Sequence, residues 1–97
     1  MNAHRIYTTK TTVTTGAKTE VNIANLNKNV ENRNNVGSVQ VVGASTITLE
    51  GSADGTNFTP IATALTSTAG AVVALFPWMR VNVTTASGSA LDVYIIQ

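Results

Sequence analysis

Apolar residues in this chain recur at every second position in short runs, and no stretch sustains the 3.6-residue period of an amphipathic helix. Thr46-Ile47-Thr48-Leu49-Glu50 sets Ile47 and Leu49 on one face of a strand and Thr46, Thr48 and Glu50 on the other. Trp78 to Thr85 repeats the pattern, with Met79, Val81 and Val83 against Trp78, Arg80, Asn82 and Thr84. Val36 to Val42 divides Val39 and Val41 from Gln40 and Val42, and Glu20 to Ala24 places Val21 and Ile23 together. Ala90 to Ile96 turns Leu91, Val93 and Ile95 inward, and its other face still carries Tyr94 and Ile96, which call for a cover. Ala71 to Phe76 is a continuous apolar run of the buried type, and Pro77 ends its ladder pairing or places it at a sheet edge.

Turn-forming residues separate these runs. Asp54-Gly55 between two β-patterned segments, Thr46–Glu50 and Phe58–Leu65, is the strongest hairpin signal, because Gly55 takes a positive φ without steric cost. About seven or eight strands at roughly ten-residue spacing predict an all-β chain. The expected architecture is an antiparallel β-sandwich, jelly-roll-like or Ig-like, or a partly open barrel. Residues 20–97 form the sandwich in this reading, and residues 1–19 are a Thr-rich N-terminal arm or edge strand. Asn27 to Asn35, with five asparagines, is a long loop or a crossover between sheets.

Composition narrows the function. The 97 residues make one domain with a thin core, and the absence of cysteine removes both disulfides and thiolate zinc sites. Only 11% of residues are charged, and sixteen threonines and ten asparagines take the outward positions that charges usually hold. A net charge of +1 gives no reason to expect nucleic acid or an anionic membrane as partner. The longest apolar run, Ala71 to Pro77, is far shorter than the roughly 20 residues that span a bilayer. No stretch of signal-peptide length is visible, so the sequons at Asn57 and Asn82 are expected to stay unmodified.

Catalytic chemistry finds little to stand on. The one histidine, His4, lies near the N-terminus and reads as solvent-exposed, and the carboxylates Glu20, Glu31, Glu50, Asp54 and Asp92 are scattered. Asp54 is explained as a turn residue capping its own backbone. No Gly-rich loop opens a helix, and neither the spacing of a calcium loop nor a basic stripe interleaved with aromatics is present. The expectation is therefore no enzyme, no cofactor and no metal, with function carried by surface. Candidate surface residues are Ile6, Tyr7, Val13, Trp78, Arg80 and Tyr94, together with the turn residues Asp54, Gly55 and Asn57. Phe58 and Phe76 are expected in the core. Two placements are open for Trp78: an anchor at the end of the sandwich, or an outward platform shared with Tyr94 for stacking a sugar or a second copy.

The stretch Glu50-Gly51-Ser52-Ala53-Asp54-Gly55-Thr56-Asn57-Phe58-Thr59-Pro60-Ile61, followed by Phe76-Pro77-Trp78-Met79-Arg80-Val81-Asn82-Val83-Thr84, resembles small virion proteins of tailed bacteriophages. The shared features are a strand ending in Glu-Gly-Ser, an Asp-Gly hairpin with an aromatic after it, and a Pro-aromatic-x-Arg-Val strand. The resemblance covers residues 46–96. It implies a β-sandwich structural protein, a capsid decoration (cement) or minor capsid component in the virion, assembled in the host cytoplasm. The partners it implies are the major capsid protein and sister copies, as a homotrimer for preference, with residues 1–19 as the contacting arm. A tail or fibre-base component is a further option of the same class. Ser-x-Asp-Gly-x-Asn-aromatic also resembles discoidin-like carbohydrate-binding domains, which implies as alternative a host glycan held by Trp78, Tyr94 and the Asp54–Phe58 hairpin. Those domains are longer and commonly carry a disulfide that this chain lacks.

Overall fold

The computed structural model describes residues 3–9, 13–18, 20–22, 36–87 and 89–96. The expected loop over 27–35, the strand residues Ile23 and Ala24, and Glu31 lie outside the described residues. The described chain is all-β: β1 (Ala3–Thr9), β2 (Gly16–Ala17), β3 (Val21–Asn22), β4 (Val36–Val42), β5 (Thr46–Ser52), β6 (Thr59–Leu65), β7 (Ala71–Ala74), β8 (Trp78–Thr85) and β9 (Leu91–Ile96). They form two antiparallel sheets packed as a small β-sandwich, as the alternation predicts.

The first sheet has the order β1-β9-β4-β7, and the second the order β2-β8-β5-β6. The short strand β3 also pairs with β8, at Met79 and Trp78, beyond the stretch where β2 meets Val83 and Asn82. The two pieces share one edge of β8, and the Lys18 amide, donating 2.8 Å to the Val81 carbonyl, continues the pairing between them. The hairpin foreseen at Asp54-Gly55 joins β5 to β6 within the second sheet. The connections β1–β2, β4–β5, β6–β7, β7–β8 and β8–β9 each cross from one sheet to the other. Two of those crossings are tied together. The buried Ser45 hydroxyl donates to Ser87 Oγ at 3.1 Å and accepts the Ser87 amide at 3.1 Å.

The inward faces meet in a core of aliphatic side chains: Val39 and Val41 of β4, Ile47 and Leu49 of β5, Met79, Val81 and Val83 of β8, and Leu91, Val93 and Ile95 of β9. Each such side chain, fully buried, contributes about 1.5–3 kcal/mol. Phe76 packs against this core, as expected, over Gly51. An added Cβ on Gly51 would meet the Phe76 ring at 2.8 Å and Ile61 at 2.5 Å, so the close approach of these side chains requires glycine there.

Three expectations are corrected. Ile6 and Val13 belong to the core, 5% and 3% exposed, because each is the apolar residue that its Thr-rich neighbourhood offers for burial. Of the two forms expected for the N-terminal segment, arm or edge strand, residues 3–9 take the edge strand, along the whole of β9, with a register shift between Arg5 and Tyr7. Thr48 and Glu50 point outward as read, yet are buried, because β5 is a central strand whose outer side chains are covered by those of its neighbours. Val72, placed in a run of the buried type, is 76% exposed, because β7 ends up at the edge of the first sheet with only alternate residues facing the core.

Candidate interaction faces

Each sheet has an outer face, and the two are built differently. On the second sheet the β5–β6 hairpin organises itself around Asp54. Its carboxylate accepts the backbone amides of Thr56 (2.8 Å) and Asn57 (2.9 Å), the Ser52 hydroxyl (2.7 Å) and the Asn57 side-chain amide (2.9 Å). The Asn57 and Thr56 amides, then the Ser52 hydroxyl, hold the Asp54 carboxyl well below the usual carboxylate range. Ser52 in turn accepts the Asp54 and Gly55 amides at 3.2 and 3.0 Å, so the turn is satisfied within itself. Gly55 has φ +80°, and the indole of Trp78 lies 2.9 Å from where a Cβ would stand. Trp78 therefore roofs the turn, half-buried, opposite Ser52 on the neighbouring strand.

Beside Trp78 on the same face, Arg80 meets Glu50, its register partner across the β5–β8 ladder. Arg80 Nε donates to Glu50 Oε1 at 2.7 Å, and Nη2 lies 2.6 Å from the same oxygen. Asn82 donates to Glu50 Oε2 at 3.3 Å, and the guanidinium stacks 4.1 Å from the centroid of the Phe58 ring. Phe58 is thus drawn to the outer face by the cation above it, where the core was expected. Both carboxylates of this face are engaged within it, Asp54 by its own turn and Glu50 by Arg80 and Asn82.

The outer face of the first sheet holds Ala3, Arg5 and Thr8 of β1, Asp92, Tyr94 and Ile96 of β9, Val36, Ser38, Gln40 and Val42 of β4, and Val72 and Ala74 of β7. Its charges lie toward the β1 side, where the Thr8 hydroxyl donates to Asp92. Toward β7 there is no charged residue among the described residues, and Val36, Val42 and Val72 are 50%, 44% and 76% exposed.

Of the candidate surface residues, Trp78, Arg80, Asp54, Gly55 and Asn57 come together on the second sheet. Tyr94 lies on the other side of the sandwich, so no platform joins it to Trp78. Tyr7 packs half-buried against the core. Sequence reasoning missed the Glu50–Arg80–Phe58 cluster and the exposed Val36 and Val72. Outward positions on β5 and β8 were the available signal for the first; for the second, Pro77 signals a sheet edge, and the strand order places β7 there. Among the described residues, no three potential metal-ligating side chains converge. Comparison with protein-family models, curated proteins and solved structures gives no match.

Proposed function

We propose that this protein is a non-enzymatic structural component of a bacteriophage virion, a capsid decoration or minor capsid protein that binds the assembled shell and its own sister copies. The observation that carries the reading is the outer face of the first sheet, where exposed valines stand in a strip without charge among the described residues, on a chain with little core to spare. Such a strip gains free energy when covered, at about 25 cal/mol for each Å² of apolar surface removed from water, and no like charges oppose the contact. The resemblance over residues 46–96 supplies the virion setting. Because residues 3–9 are an integral strand with Ile6 in the core, shell contact is assigned to sheet faces and away from a free arm. The test is mass spectrometry of particles banded on a density gradient from cells that carry the gene. The chain at fixed stoichiometry in the particle band supports the reading, and its confinement to the soluble fraction refutes it.

A second reading is favoured by one observation, the half-exposed Trp78 beside Arg80 on the other sheet, which suits a carbohydrate-binding module without Tyr94. Glycan-array binding that disappears with Trp78→Ala would select this reading; an array without signal leaves the structural one.

A further inference from the structure

A sheet edge presents unpaired backbone amides and carbonyls to any extended chain, and proteins that stay monomeric obstruct their edges. Among the described residues, three of the four edges of this sandwich are obstructed. β1 carries His4, Arg5 and a register shift between Arg5 and Tyr7. β6 carries Pro60, two register shifts against β5, and Ala64 in the left-handed region at φ 55°. The edge along β8 is made of two two-residue pieces, β2 and β3. β7 has none of these devices. It pairs with β4 residue for residue from Val36↔Ala74 to Val39↔Ala71, and contains neither a charge nor a proline.

We infer that β7 is the edge through which two copies of this chain pair, antiparallel about a two-fold axis, joining their first sheets into one eight-stranded sheet of order β1-β9-β4-β7-β7-β4-β9-β1. A second copy is the occupant because a two-fold axis sets each edge against itself. Antiparallel pairing of β7 with its copy opposes no like charges, because the edge carries none. Continuity of the outer face requires that paired residue numbers sum to an even number. The register centred on Val73 meets this condition and sets Val72 opposite Ala74 of the partner subunit on the outer face, a large side chain against a small one. Val36, beside Ala74 on β4, extends the same strip in each copy. Net charge is +1 per chain, so long-range repulsion between copies is weak. The pairing is independent of the virion reading: it is read in solution without a shell, whereas shell binding is read in particles.

The test is sedimentation of the full chain over a wide concentration range, with two variants whose changes lie at exposed positions. The wild type is expected to reach twice the 10.1 kDa chain mass. Val72→Lys/Ala74→Lys opposes two cation pairs across the axis and is expected to weaken pairing on the order of tenfold or more. Val72→Lys/Ala74→Glu sets opposite charges across the axis and is expected to restore it. Hydrogen exchange on the wild type needs no variant. The amides of β7 should exchange more slowly in concentrated than in dilute solution. A single-chain or three-chain mass throughout, a dimer that Val72→Lys/Ala74→Lys leaves intact, no recovery with Val72→Lys/Ala74→Glu, or β7 exchange independent of concentration would each overturn the proposal.

Discussion

The outer faces of the two sheets start from similar material, short strands rich in Thr, Val and Ala, and arrive at opposite surfaces. On the second sheet, Glu50 is 8% exposed yet fully engaged, by Arg80 from the side and by Asn82 beyond it, while Asp54 closes its own turn under Trp78. On the first sheet, Val72 and Val36 project into solvent beside Ser38, with no charged side chain among the described residues of β4 and β7. A polar group buried without its partner costs more than its bond contributes, so the second face is complete and intolerant of loss. An exposed valine costs little while it waits for a cover, so the first face is tolerant of substitution and open to a partner. The fold is held by one face and presents the other.

That contrast can be broken by mutation. The largest effect is expected at Arg80→Ala, which leaves Glu50 covered and unpaired and strips the cation from Phe58. Unfolding free energy should fall by roughly 2–4 kcal/mol in urea titration, and Arg80→Lys should recover only part of it, because an ammonium has no planar fork to match. A loss below about 0.5 kcal/mol, the scale of an ordinary surface site, would make the second face no different from the first. Gly55→Ala comes next. A Cβ at φ +80° would press on the Trp78 indole, and the two faults together should cost about 2 kcal/mol in the same titration.

Asp54 sharpens the comparison through pH. Its folded carboxyl titrates below the usual range, so its stabilising contribution is fully present above the ordinary pKa near 4 and is lost as pH falls toward the folded value. Asp54→Asn should therefore lower the urea midpoint at neutral pH. The gap to wild type should narrow as pH drops below about 4, whereas a constant gap would remove the turn from the acid response. The smallest effect lies on the obstructed edge: Ala64→Gly relieves the left-handed backbone at φ 55° and should raise stability by a few tenths to about 1 kcal/mol in thermal melts.

Much of this architecture is legible in the residues. Local alternation gives β4 and β8 over their full lengths, and the Asp54-Gly55 turn gives the one hairpin within a sheet among the described residues. What alternation leaves open is which strands become neighbours. The burial of Glu50 depends on β8 lying beside β5 in a register that sets Arg80 opposite it, a contact thirty residues distant in sequence. The exposure of Val72 depends on β7 falling at an edge, and the separation of Tyr94 from Trp78 depends on β8 and β9 entering different sheets although a short loop joins them. Ile6 and Val13 are hidden for the opposite reason. A lone apolar residue among threonines carries almost no periodic signal, yet each is covered when its segment packs.

The division between a completed face and a presenting one is tested most directly by hydroxyl-radical footprinting of the intact chain, at low and high concentration and in the particle band. Val36 and Val72 should lose reactivity on assembly while Phe58 and Trp78 keep theirs. Protection that falls on Trp78 and Phe58, with the valines unchanged, would contradict the account.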